Sequence, residues 1–266
     1  MVHEYNAKLV LNLPGVICIL PGIDHYPSLN PLNMYMKQWL NDFSRLLYPN
    51  ICASCGRDLY HNKNMICWLC MKELPRTGFE CHHDNPAAKI FYGRLPLQQV
   101  FSWLFFNKGS VTQHLVHQIK YRKNLSLGRY LGELMAESMI SSGLYNGIDV
   151  LVPLPLNKKK LVKRGFNQAM VICEGMAPVL NIPVEPVAVY RKKYTETQTK
   201  KTRIQRLENV EEVFDIKDAH LLENRHALLV DDVITTGATM EACGKALLGI
   251  TGLNLSLASL AIASKY

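Results

Sequence analysis

The run Leu228-Leu229-Val230-Asp231-Asp232-Val233-Ile234-Thr235-Thr236-Gly237-Ala238-Thr239 constrains this chain more than any other stretch. Leu228 to Val230 is apolar and reads as a buried strand. Two adjacent carboxylates stop it, a loop of Thr, Gly and Ala follows, and Met240 to Leu248 reads as a helix. Backbone amides at a helix start have no intrahelical partner and can hold a phosphate. Small residues let the backbone close around such an anion, and Thr hydroxyls add donors. The carboxylates cannot sit on that phosphate; they suit sugar hydroxyls or a Mg²⁺. One ligand with a phosphate, vicinal hydroxyls and a metal-bound pyrophosphate satisfies both halves. No Lys follows Gly237, and the spacing differs from Gly-x-Gly-x-x-Gly, which sets aside the nucleoside-triphosphate loop and the dinucleotide fingerprint.

The rest of the C-terminal two thirds alternates strand and helix. Strands are expected at Leu97–Phe106, Ile148–Val152, Val184–Val189, Leu228–Val230 and Leu255–Ile262. Helices are expected from a Ser110 N-cap to Lys123, over Leu127–Ile140 with a stop at Gly143, over Phe166–Leu180 and over Met240–Leu248. This predicts an α/β fold with a mostly parallel sheet and right-handed crossovers. Ligands of such sheets collect at the carboxyl ends of the strands. Three marked loops leave such ends, after Val152, Val189 and Val230. The first runs through Pro153, Leu154, Pro155 and Leu156 to Lys158, Lys159, Lys160, Lys163 and Arg164, then Gly165, Asn167 and Gln168. The second, Arg191 to Arg206, carries seven bases and one acid, and reads as a basic lid or a solvated charged loop.

Eight Cys divide unevenly. Cys52-Ala53-Ser54-Cys55 and Cys67-Trp68-Leu69-Cys70 are two Cys-x-x-Cys turns, expected to converge four thiolates on one Zn²⁺ in a ribbon-like module. Four free or redox thiols, or an iron centre, are the alternatives. Cys81, His82 and His83 follow closely, as a solvated turn or a substitute ligand. Clustered Cys pairs without a leader segment read as metal ligands in the cytoplasm, and no run reaches the length needed to cross a membrane. The module is too small for a core of its own, so metal binding is expected to supply much of its folding energy.

Residues 1–33, rich in Pro and Gly, form an extension of uncertain order. A helix over 34–48 precedes the module, giving a 34–83 segment ahead of an 84–266 domain, with 84–125 as a hood over the site. Phe91, Tyr92, Trp103, Phe105 and Tyr121 in that region either stack a base or fill the core. The formal charge of +8 agrees with phosphate-rich ligands or nucleic acid.

The acidic-pair loop resembles the phosphoribosyl pyrophosphate loop of type I phosphoribosyltransferases. From about residue 35 onward the order of motifs is similar to the ComF family, the competence-associated or GntX-like phosphoribosyltransferases. The matching pieces are the four Cys, Ile119-Lys120-Tyr121-Arg122, Val152-Pro153-Leu154-Pro155 and Lys163-Arg164-Gly165-Phe166-Asn167-Gln168. Thr195 with Thr197-Gln198, Arg203 through Arg206 to Asn209, and the acidic pair complete the set. The resemblance implies that Asp231 and Asp232 hold ribose hydroxyls while Val233, Thr235, Thr236, Gly237, Ala238 and Thr239 cradle the 5′-phosphate. It puts Pro155, Leu156, Lys163 and Arg164 in the pyrophosphate loop, and Arg191, Lys193 and Arg203 in the mobile catalytic loop. Lys158 and Lys159 depart from relatives that often carry His or Pro there. The implied ligand is phosphoribosyl pyrophosphate or a related sugar phosphate with Mg²⁺, with an unknown acceptor. The implied setting is natural transformation in the cytoplasm, with single-stranded DNA and DNA-processing proteins as partners. A binding module on the same fold, without turnover, is the rival reading.

Overall fold

The computed structural model describes Trp39 and residues 50–59, 64–143, 145–192 and 213–263. The chain divides into a unit of residues 1–49 and a unit of residues 50–266. In the first, Trp39 is helical and exposed; the 1–33 extension lies outside the described residues.

In the second unit, two Cys turns lead into α1 (Trp68–Lys72), a 3₁₀ turn (Phe79–Cys81) and α2 (Pro86–Lys89). There follow β1 (Val100–Phe106), α3 (Val111–Arg122), α4 (Leu125–Ser142), β2 (Val150–Pro153), α5 (Lys158–Arg164) and α6 (Gln168–Leu180). The chain continues through β3 (Val189–Arg191), β4 (Phe214–Ile216), β5 (His226–Ile234), α7 (Ala238–Leu247) and β6 (Asn254–Ala263). Local chemistry sets the ends. Ser110 Oγ accepts from Gln113 N–H at 3.2 Å to start α3, and Gly143, with φ 68°, stops α4.

Strands β1, β6, β5 and β2 form, in that order, a parallel sheet. Both faces are covered, so β2 is buried along its whole length. Alternate residues feed two cores. Leu151, Leu228, Val230, Ala258 and Leu260 pack with α3, α4 and α6 on one side; Val152, Leu229, Leu255 and Leu257 pack with α7, β3 and β4 on the other. Helices α4 and α6 cross so closely that a Cβ on Gly132 would collide with the Ile172 carbonyl oxygen.

The four-Cys segment draws on the first of these cores. Cys52, Ala53, Ile66, Cys70 and Leu74 join the cluster that holds Trp103 and Leu115. Gln118 Nε2 donates to the Ala53 carbonyl at 2.8 Å, and the chain after Cys70 pairs with β1 through an Arg76–Leu104 bridge. The segment therefore borrows a core that its own length could not supply.

Several elements differ from the sequence expectation. Val184–Val189 is not one strand. Pro183 and Pro186 remove ladder donors, so Val184 makes a single bridge to Leu151, and β3 pairs antiparallel with β4 in a second, two-stranded sheet. The basic stretch Lys158–Arg164, read as a loop, is α5, capped by Asn157 and ended by Gly165 at φ 84°. The start of the expected hood, 84–125, holds α2. Its cap Asn85 is buried, accepts from Ala88 N–H at 2.9 Å and donates to the Val100 carbonyl at 2.8 Å. Of the aromatics weighed as base-stacking residues, Phe91 and Trp103 are core, while Tyr92 and Tyr121 are exposed. β5 does not stop at Val230 but runs through the acidic pair, because β6 keeps pairing with it to Ile234.

Candidate ligand site at the end of strand β5

β2 ends where Pro153 pairs with Val230, whereas β5 continues against β6. From Asp231 onward no strand among the described residues pairs with the β2 side of β5, and the acidic pair is half-buried at the carboxyl end of the sheet. The Asp232 N–H donates to Asp231 Oδ1 at 2.8 Å. Lys120, in the last turn of α3, sits 2.9 Å from Asp232 Oδ2, with both side chains largely buried. Burial, then the neighbouring charge of Asp232, pushes the Asp231 carboxyl up to about 7; the Asp232 amide, Lys120 and Lys160 pull the other way. Helices α3 and α5 thus both bring positive charge to the pair.

After Ile234 the chain turns through exposed Thr235 and Thr236 to buried Gly237, the N-cap of α7. Gly237 has φ 77°, and a Cβ there would meet Ile90 at 2.8 Å and Phe91 at 2.9 Å, so only Gly fits on both counts. A Gly cap supplies no side-chain acceptor, and the first amides of α7 keep donors for an anion. Thr236 Oγ1 lies 3.4 Å from Ala238 N. Asp231 and Val233–Met240 line a hollow of about 30 Å³. That is room for one or two water-sized groups, such as the oxygens of an anion.

The flanking residues divide. Pro155 and Leu156 are half-buried in the turn between β2 and α5, which Asn167 fixes by donating to the Leu154 carbonyl at 3.0 Å. Lys163 is exposed. Arg164 bends back: Nη1 donates to Gln168 Oε1 at 2.6 Å, and its guanidinium lies 5.7 Å from the Tyr121 ring. Arg191 ends β3 with its guanidinium 5.4 Å from the Phe214 ring. Its charge is felt at buried Cys243, where Asp231 is felt too. Lys193 and Arg203 lie outside the described residues. Lys120 carries no role in the sequence reading. The signal was present: four residues after buried Val116, it falls on the inward face of α3, where a cation needs a partner.

The sulfurs of Cys52, Cys55, Cys67 and Cys70 lie within 4.8 Å of one another. The Cys67 N–H donates to Cys52 Sγ at 3.2 Å. Burial raises the Cys52 thiol, but the N–H groups of Cys55, Cys67 and Ser54 outweigh it and bring the thiol down to about 7. Burial pushes Cys70 up to about 12. Four sulfurs converging on one centre, with amides aimed at one of them, is a donor set that can hold a metal ion. Cys81 is exposed and outside this group, and the seven described Cys are free thiols.

Comparison with known proteins agrees with this geometry. The phosphoribosyl transferase domain matches residues 167–263, which span the acidic pair, its loop and the strands on either side. The DNA utilization protein YhgH of Escherichia coli K12 is 25% identical over 214 residues, covering 76% of this chain and 92% of that protein. Competence protein F of Haemophilus influenzae is 26% identical, covering 74% of this chain and 90% of that protein. Competence protein ComFC of Bacillus subtilis is 36% identical over 99 residues, 37% of this chain and 38% of that protein. The parallel sheet, the loop after β5 and the domain match define a phosphoribosyltransferase-like protein. The four-Cys segment ahead of that domain and these relatives support a ComF-like protein of this class. Among the described residues no helix is long and apolar enough to cross a membrane.

Proposed function

We propose that this protein binds phosphoribosyl pyrophosphate, or a closely related sugar phosphate, together with Mg²⁺. The observation that carries the reading is the continuity of Asp231 and Asp232, on the open edge of β5, with the Gly237-capped start of α7. In this reading the two carboxylates accept from vicinal ribose hydroxyls, and Thr235, Thr236, Gly237, Ala238 and Thr239 take the 5′-phosphate. The turn at Pro155 and Leu156, with Lys163 and Arg164, faces the pyrophosphate, and Arg191, Lys193 and Arg203 belong to a basic segment that closes over it. If the protein turns over, C1′ of the ribose loses pyrophosphate and bonds to an acceptor through an oxocarbenium-like state. The chain's part is then to orient the sugar, to exclude water and to offset charge on the leaving group. Mg²⁺ adds positive charge at the pyrophosphate. Cys52, Cys55, Cys67 and Cys70 hold Zn²⁺ as a structural ion. The relatives' names, DNA utilization and competence proteins, support a place in DNA uptake during natural transformation; the cytoplasm is the compartment this reading expects.

A second reading rests on the exposed basic helix α5 and the words "DNA utilization". Here the same loops bind single-stranded DNA, or the proteins that process it, without turnover. Calorimetric titration with phosphoribosyl pyrophosphate, with and without Mg²⁺, separates the two. Mg²⁺-dependent binding by wild-type protein, lost in Asp231→Ala with Asp232→Ala, supports the first. No binding under any condition, alongside salt-sensitive binding of single-stranded DNA, overturns it in favour of the second.

A further inference from the structure

A lysine on the inward side of a helix has few reasons to be there. Lys120 follows buried Ile119, one turn from buried Val116, three residues before α3 ends at Lys123 in the left-handed conformation. Its side chain is 20% exposed, that of Asp232 is 14% exposed, and the ion pair spans 2.9 Å. The helix C-terminus favours a cation at this point. Lys160 adds a second positive charge that is felt at Asp231. Arg164, the nearby guanidinium, is engaged with Gln168 and Tyr121 instead.

Resting on the ligand reading above, we infer that Lys120 is a built-in counter-ion that keeps a free divalent cation off the acidic pair and leaves the pair to a sugar polyphosphate that brings its cation on its phosphates. Two adjacent carboxylates on their own attract any divalent ion. An ammonium on Asp232 Oδ2 offsets the charge of that carboxylate and repels a free cation brought to the same oxygen. A cation carrying a polyphosphate arrives with net negative charge. The ammonium, on a flexible four-carbon stem with three donors, can then pass from Oδ2 to a phosphate oxygen. The same residue thus opposes the bare ion and welcomes the complex. Lys120 is a specificity-determining residue for a site whose reacting groups lie elsewhere.

The test uses full-length, zinc-loaded protein and two probes, Mn²⁺ alone and Mn²⁺ with phosphoribosyl pyrophosphate, followed by calorimetry and by the Mn²⁺ paramagnetic resonance signal. Lys120→Met keeps the stem and removes the charge; Lys120→Arg keeps the charge. Lys120→Met is expected to bind Mn²⁺ alone about tenfold more tightly than wild type and the Mn²⁺ complex about tenfold more weakly. Lys120→Arg is expected to stay near wild type for Mn²⁺ alone. A purely structural role would weaken both probes together, and that result overturns the inference. So does an unchanged affinity for Mn²⁺ in Lys120→Met when wild type binds the complex. Failure of wild type to bind the complex at all overturns the ligand reading and the selection with it, a result distinct from the other two.

Discussion

The four-Cys group and the loop after β5 are both short, and they are built in opposite ways. In the first, side chains supply the donor set: the sulfurs of Cys52, Cys55, Cys67 and Cys70 lie within 4.8 Å of one another. In the second, side chains frame a backbone. Asp231 and Asp232 stand at the rim, while the hollow is made by the turn of the chain into α7 and by a glycine pressed against Ile90 and Phe91. They also lean on the fold differently. The sulfur group shares the core under β1, whereas the loop rides on the open end of β5. The first should therefore govern stability and the second ligand binding, and the two effects should separate.

The largest effect that would break this division is metal removal. If the sulfur group holds the proposed Zn²⁺, stripping it is expected to expose Cys52, Ala53, Ile66 and Cys70, which pack in the same core as Trp103 and Leu115. A loss of about 5 kcal/mol lowers Tm by about 10–20 °C in a unit of this size, and chelation followed by scanning calorimetry reads it directly. A Tm untouched by chelation would mean the segment is an appendage.

Next comes the acidic pair. Asp231→Asn with Asp232→Asn removes the two carboxylates proposed to accept from ligand hydroxyls, each contact worth about 1.5–3 kcal/mol, so affinity for the sugar phosphate is expected to fall by at least about 100-fold. Far-ultraviolet circular dichroism should hold and Tm should not fall. A parallel collapse of Tm would show that the pair supports the fold.

Gly237→Ala is smaller. The left-handed backbone alone costs about 1–2 kcal/mol, and the new methyl group must also displace Ile90 or Phe91. We expect about tenfold weaker phosphate binding by titration and a Tm lower by a few degrees; an unchanged affinity would dissociate the hollow from the ligand.

The smallest effect is in pH. The folded state holds the Asp231 proton up to about 7, above the ordinary carboxyl value. A raised carboxyl favours the folded state most below the unfolded pKa, and that contribution is lost as pH rises through 7. Asp231→Asn has no such loss, so its Tm advantage over wild type should widen from pH 5 to pH 8. A gap that stays flat across that range contradicts the burial argument.

How much of this was legible from the chain depended on distance along it. The Cys turns, the acidic pair and Gly237 are local patterns in which residue type and spacing already state the chemistry. The parallel sheet was legible because the apolar stretches Ile148–Val152, Leu228–Val230 and Leu255–Ile262 alternate with segments of helical pattern. The ion pair of Lys120 with Asp232 was not, because its partners are far apart in sequence and meet only when α3 packs on the sheet. Helix α5 escaped because it buries no side chain and so has no apolar period, though its Asn157 and Gly165 caps were in view. The pairing of β3 with β4 was hidden by Pro183 and Pro186 and by the long stretch between the two strands.

The most direct test of the central claim is a crystal structure of the zinc-loaded protein grown with Mg²⁺ and phosphoribosyl pyrophosphate. The account predicts the 5′-phosphate against the amides from Thr235 to Thr239, with the ribose hydroxyls on Asp231 and Asp232. A ligand seated elsewhere, with Thr235–Thr239 touching nothing, would contradict it.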